Sequence, residues 1–174
     1  MHFSKLLSIE RVAICLPSPH TSAPGYLPLS LTKQEALALL AEMLATSTDL
    51  SKEEILRVLM EREAIQSTGI GEEVAIPHAA LTGIKEQYAS LLIVPEGVEF
   101  AAIDSKKVKI LFAVIGTKYN AGEHLRTLAR VSRLLRNRFF REQLIATRDA
   151  ETALWLIARK EESEEKKHVN HAPE

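Results

Sequence analysis

The chain has a single cysteine, no long apolar run and almost no net charge, and each scarcity removes a class of explanation. Cys15 has no second thiol with which to form an internal disulfide, which suits a reducing cytoplasm. No stretch approaches the roughly 20 apolar residues a helix needs to cross a bilayer, so no direct membrane insertion is expected. The opening MHFSKLLSIERVAICLP is interrupted by Glu10 and Arg11 and does not read as a secretory leader. Lys and Arg number 22 against 23 Asp and Glu, for a formal charge of −1. That balance gives no electrostatic case for nucleic acid or for an acidic membrane surface. There is no internal repeat. No lysine follows the glycines as in a phosphate-binding loop, and no nucleophile elbow surrounds Ser67. Outside the two ends and one irregular stretch, the histidines are His78 and His124, with no cysteine beside either. No metal and no cofactor are expected.

What the chain does have is apolar content of 46% with 26% charged residues over 174 positions, enough for one domain with a sizeable core. Leu6 and Leu7 read as a short entry turn or helix, and residues 11–16 as a first strand with Cys15 buried in it. Pro17 to Ser30 is rich in Pro, Ser and Thr and reads as an irregular insertion holding an idle His20. Thr32 with Glu35, and Ser51 with Glu54, are capping boxes opening two helices, the second ending near Arg62. Strands are expected at 88–94, stopped by Pro95, and at 108–115, with a further short one near Phe100. The run VKILFAVI at 108–115 is apolar enough to be covered on both faces. A helix then starts near Glu123, with Leu125, Leu128, Ala129, Ser132 and Leu135 expected to pack on the sheet. A short helix over 139–146 and a last one capped by Asp149 follow. The charged end, from 163, reads as frayed helix and disordered tail, in which His168 and His171 carry no role.

The stretch REAIQSTGIGEEVAIPHAA, Arg62 to Ala80, concentrates the chemistry. Gly69 and Gly71 let a loop turn its amides toward a bound group. Residues 74–76 read as a buried strand, and Pro77 stops its ladder and stiffens the backbone ahead of His78. The imidazole therefore arrives at a strand end. A neutral imidazole is a competent nucleophile, and a transferring phosphoryl group needs cations and amides around its oxygens. Arg62 offers a permanently charged fork; Ser67, Thr68, Gly69 and Gly71 offer neutral donors. Taken alone, His78 reads equally well as a structural histidine, and Arg62 as a solvated residue near a helix end. His124 taken alone is a surface residue in a first helical turn.

The elements RE, STGIG and AIPHA, at Arg62-Glu63, Ser67 to Gly71 and Ala75 to Ala79, closely resemble the signature of the type-2 enzyme IIA domains of the bacterial phosphotransferase system, the mannitol, fructose and nitrogen-regulatory group. His124-Leu125 resembles that group's second element. Glu72 and Glu73 stand where the family usually has small or neutral residues; they are expected to face solvent or a partner. The resemblance implies an α/β single domain over 1–162, with a central mixed, mostly parallel sheet of about five strands flanked by helices. It implies that His78 receives a phosphoryl group on Nε2 from a histidine-containing phosphocarrier protein, with Arg62 and His124 lining the site. The group then passes to a sugar-transport IIB domain, or is held as a signal to a regulated partner protein. The alternative is a regulatory binding module without onward transfer to a sugar. The chain is read as a stand-alone IIA, slightly closer to the nitrogen-regulatory branch.

Overall fold

The run at 108–115 becomes the spine of the molecule. In a computed structural model that describes residues 2–16 and 30–169, strand β6 (Val108–Thr117) is paired on both sides. On one side lies β5 (Tyr88–Val98), antiparallel, which in turn carries β1 (Val12–Ile14), parallel to it. On the other side, β3 (Val74–Ala75) and then β4 (His78–Leu81) run parallel to β6, one after the other along the same strand. A short β2 (Gly69–Gly71) pairs antiparallel with β3. The sheet is mixed, with three parallel pairings and two antiparallel ones.

Both faces of the sheet are covered, and the alternation in the central strands shows how. Leu92, Val94, Leu111, Ala113 and Ile115 join one cluster with Leu37, Leu40, Leu44, Ile55 and Leu59 of α2 (Lys33–Ala45) and α3 (Lys52–Ile65). Leu91, Ile93, Ile110, Phe112 and Val114 point the other way. They meet Phe3 and Leu6 of α1 (Phe3–Leu6), Val131 and Leu134 of α4 (Ala121–Leu135), Phe140 and Leu144 of α5 (Arg138–Ile145) and Ile157 of α6 (Ala150–Val169). Period-two side chains in a two-sided strand give a near-continuous apolar run, as the sequence has. Each fully buried Leu or Ile contributes about 1.5–3 kcal/mol, so the three-layer arrangement is set mainly by this partition.

The helix starts follow their caps. Thr32 accepts from the Glu35 amide at 3.2 Å while Glu35 accepts from the Thr32 amide at 2.8 Å. Ser51 accepts from Glu54, Asn120 from Glu123 and Asp149 from Thr152.

Several boundaries differ from the sequence reading, each for a local reason. β5 continues through Pro95 because its register with β6 shifts between Ile93 and Val98, where a missing N–H breaks no ladder bond. Phe100 is fully buried but lies in a loop. Arg11 sits in a 3₁₀ turn before β1, its buried guanidinium donating to the carbonyls of Ala89 and Leu6. Cys15 follows the strand and is buried, which pushes its thiol up to about 11. α3 runs on to Ile65, placing Arg62 in its last turn. On α4 the buried face is His124, Thr127, Val131, Leu134 and Leu135; Leu125 is 68% exposed. The expected stripe is rotated because two polar residues, not leucines, turn inward at the helix start. The end from 163, read as frayed helix and then tail, is helical as far as Val169. The insertion at 17–30, except Ser30, and residues 170–174 lie outside the described residues.

Candidate functional site

Three elements from three layers converge on one histidine. β3 ends at Ala75, Pro77 interrupts the track, and β4 resumes it at His78, which is paired with Val114 of β6. The Pro77 carbonyl accepts from the Val114 amide at 2.9 Å, so the break is pinned to the central strand. Pro77 interrupts the strand as the sequence reading has it, but a new strand begins directly after it, so His78 stands at a strand start rather than a strand end.

The His78 ring is half-buried and held at both nitrogens. Nδ1 lies 2.8 Å from the Ile76 carbonyl oxygen, which can only accept, so Nδ1 carries the proton. Nε2 therefore bears the lone pair, and Arg62 Nε donates to it at 3.2 Å. Arg62 is itself anchored by donating from Nη1 to the Gln66 carbonyl at 3.0 Å, just past the end of α3. Burial depresses the His78 pKa below the usual imidazole range; the Ile76 carbonyl opposes this, Arg62 adds to it and Glu63 offsets it. The ring is neutral at pH 7.

His124, from the first turn of α4 on the other face of the sheet, has its ring centre 6.1 Å from that of His78. It is 8% exposed, and burial followed by the proximity of His78 lowers its pKa. The ring fits because β6 has Gly116 beneath it: a Cβ there would stand 2.5 Å from Nδ1. Nδ1 faces the Gln87 side-chain oxygen at 3.3 Å, and Gln87 Nε2 donates to Thr127 Oγ1 at 3.0 Å. His124 Nε2 is buried and has no hydrogen-bond partner among the described residues.

Arg62, His78 and His124 are brought together. Ser67, Thr68, Gly69 and Gly71 have other work. Ser67 Oγ donates to the Phe100 carbonyl at 3.0 Å and accepts from the Gly69 amide at 3.1 Å. Thr68 is buried, and its amide and hydroxyl both donate to the Glu63 carboxylate. Gly69 lies so close to Ala102 that a Cβ would meet the Ala102 Cβ at 2.7 Å. Gly71, with φ of 91°, begins the turn into β3. These residues build the hairpin beside the site, with the Ser67 and Thr68 hydroxyls and the Thr68 and Gly69 amides already engaged.

The two acidic residues of that turn have positive φ, 56° at Glu72 and 65° at Glu73, a conformation that normally favours glycine or asparagine. Their carboxylates pair with Arg141 and Lys109, each at 2.7 Å.

Glu63, Gln87 and Thr127 were given no role in the sequence reading. Two had a signal: Glu63 follows Ile55 and Leu59 at four-residue spacing on the buried face of α3, and Thr127 precedes Val131 in the same way on α4. Gln87, in a loop, had none. Among the described residues no group of three or more His, Cys, Asp or Glu could hold a metal ion. No helix among them is long and apolar enough to cross a membrane.

Residues 28–160 match the family described as phosphoenolpyruvate-dependent sugar phosphotransferase system, EIIA 2. A nitrogen regulatory protein of Bradyrhizobium diazoefficiens is 30% identical over 127 residues, covering 73% of this chain and 83% of that one. A fructose-specific EIIA component of Haloferax volcanii is 28% identical over 128 residues, covering 73% and 83%. Among solved structures, nitrogen regulatory protein IIA-Ntr of Neisseria meningitidis superposes with a TM-score of 0.76 at 24% identity, covering 89% of this chain and 98% of that one. The chain belongs to the type-2 EIIA family of the phosphotransferase system.

Proposed function

From that membership and from the site geometry, we propose that His78 Nε2 accepts a phosphoryl group from the phosphohistidine of a histidine-containing phosphocarrier protein. A P–N bond forms at His78 as the P–N bond of the donor breaks, through a loose in-line transition state. The proton on Nδ1 stays there, held by the Ile76 carbonyl. Arg62 carries the permanent positive charge for the equatorial oxygens, and His124 lines the other side.

The observation that carries this reading is the tautomer of His78. Its Nδ1 is committed to a carbonyl, so the nucleophilic lone pair is on Nε2, the nitrogen that faces a cation. A structural histidine would have no use for an arginine on its only basic nitrogen.

The phosphoryl group then passes to a IIB domain in sugar transport, or is held as a signal to a regulated target in the cytoplasm. Nitrogen regulatory and fructose-specific relatives stand at similar identities, and the phosphoryl-carrier chemistry is common to both outcomes. Incubation with a phosphorylated carrier should add one acid-labile phosphoryl group, and His78→Ala should abolish it. Full labelling of that variant would overturn the assignment. Transfer from the labelled protein to purified IIB domains separates transport from regulation.

A further inference from the structure

The pairing of Gln87 with His124 has a chemical consequence for the proposed transfer, on which this inference rests. We propose that Gln87 is a positioning residue: its side-chain oxygen holds the His124 proton on Nδ1, so that His124 can donate to a phosphoryl oxygen from Nε2 only after taking up a second proton from solvent.

The orientation of the Gln87 amide is the first step. Its nitrogen donates to Thr127 Oγ1 at 3.0 Å, which turns its oxygen toward His124 Nδ1 at 3.3 Å. An amide oxygen only accepts, so with Gln87 in this orientation Nδ1 is the protonated nitrogen of the neutral ring. The three side chains are buried, at 5% exposure for Gln87, 8% for His124 and 4% for Thr127, so water does not readily replace these partners. Gly116 closes the Nδ1 side of the ring from below.

The second step concerns the opposite nitrogen. Nε2 of the neutral ring is a bare lone pair, buried and without a partner among the described residues. In that form it can only accept, and it would repel a phosphoryl oxygen. Once it is protonated, both ring nitrogens donate: Nδ1–H to Gln87 and Nε2–H to the phosphoryl group. The charged groups around the ring favour this order of events. His78, 6.1 Å away, is neutral at rest; Arg62 stands beyond it with its charge directed at His78 Nε2. Glu63 is tied to Lys33 and Thr68, and Glu123 to Asn120. Among the described residues, burial and the neighbouring His78 act on the His124 charge, and both oppose it before the phosphoryl group arrives. The incoming phosphoryl dianion favours it, so phosphorylation of His78 and protonation of His124 are coupled.

Such coupling makes the phosphorylated state a charge-compensated one. The group that arrives with two negative charges meets Arg62, already positive, and His124, made positive by its arrival. The unphosphorylated site avoids burying an unpaired cation on the far side of His78 from Arg62.

Nitrogen-15 NMR of the histidine side chains in the full chain tests this directly. Before phosphorylation and at mildly alkaline pH, His124 should show a protonated Nδ1 and a bare Nε2; after labelling by the phosphorylated carrier, both nitrogens should be protonated. A proton on Nε2 in the resting protein, or a neutral His124 in the fully labelled one, overturns the proposal. Gln87→Leu should mix the two tautomers and slow transfer about tenfold, less than the ~10²-fold or greater loss that follows outright removal of an oxyanion donor. Gln87→Glu keeps the acceptor and should retain the Nδ1 proton, with the His124 pKa raised. An unchanged tautomer and rate in Gln87→Leu would count against a positioning role. The wild-type measurement stands whether or not that variant folds. Absence of any label on His78 would strike the phosphoryl-carrier reading itself, a separate result.

Discussion

Arg62 Nε donates to His78 Nε2 across 3.2 Å, so the cation rests on the nucleophilic lone pair itself. In the proposed transfer the guanidinium would slide from the nitrogen to the oxygens as phosphorus arrives, with its Nη1 bond to the Gln66 carbonyl as the pivot. Arg62→Ala should lower single-turnover transfer by about 10²-fold or more, the scale of losing one preorganised electrostatic donor. Arg62→Lys should recover little of it, because an ammonium cannot hold the Gln66 carbonyl and two phosphoryl oxygens in one plane. The melting temperature of both variants should stay within a few degrees of the parent, since Arg62 is half-exposed. Transfer rates equal to the parent would remove Arg62 from the mechanism.

A second prediction follows from burial. Only neutral imidazole attacks phosphorus, and the His78 pKa lies below the ordinary imidazole value of 6.5. Acceptance of the phosphoryl group should therefore hold steady as pH falls through 6.5 and decline only in more acidic solution. Stability carries the same sign. The unfolded chain binds protons on these histidines near 6.5 while folded His78 and His124 bind them only at lower pH, so their contribution is complete above 6.5 and is lost below it. Melting temperature against pH should show this acid-side fall, and it should be shallower in His78→Asn. A steeper fall in that variant would contradict the assignment.

Much of the frame was readable from the chain because its strongest signals are physical ones. The two-sided apolar run at 108–115, the Thr32–Glu35 cap and the proline ahead of His78 each impose a local structure that tertiary packing does not override. What escaped has identifiable causes. β2 and β4 hold three and four residues, too few for a periodicity to be read, whereas β3 is legible from the apolar run at 74–76. A proline inside β5 is tolerated only because the register shifts there, a fact about β6. Thr68 reads as an oxyanion donor in sequence, but its hydroxyl belongs to Glu63, five positions earlier on a different element. The Gln87–His124 contact joins residues 37 apart and depends on a glycine of β6, so no local pattern announces it.

Glu63 should matter more to folding than to chemistry. Its carboxylate is buried, accepts from the Thr68 amide through both oxygens at 3.0 Å, and pairs with Lys33 Nζ at 2.7 Å. Lys33 in turn donates to the Phe100 carbonyl, so one carboxylate joins α2, α3, the β2 hairpin and the loop after β5. Glu63→Ala leaves a buried amide and hydroxyl unpaired and should cost about 2–3 kcal/mol. Lys33 is partly solvated, and its loss of a partner adds little. Glu63→Gln retains one acceptor and should fall between. Chemical denaturation of the three proteins gives the order, and a Glu63→Ala protein as stable as the parent would break this account of the hairpin.

Gly116 offers a way to displace His124 without removing its imidazole. A methyl group at this position would stand 2.5 Å from His124 Nδ1 and 3.1 Å from Cγ, closer than van der Waals contact permits. β6 cannot give, because Gly116 is paired with Ala80 of β4 in the middle of the parallel ladder. The ring must therefore tilt or leave, and its contact with Gln87 goes with it. Gly116→Ala should slow phosphoryl transfer about 10- to 100-fold, within the range expected for a donor held out of place. Histidine nitrogen-15 spectra should show the Nδ1 proton exchanging faster with water, while His78, bonded to Ile76 on its own strand side, keeps its tautomer. The contrasting control is Gly122→Ala, in the first turn of α4, where the nearest side-chain atom is 3.6 Å from the added methyl. That variant should transfer at the parental rate. Equal rates for Gly116→Ala and the parent would mean that the position of the second imidazole is immaterial to the reaction, and the role given to His124 would have to be abandoned.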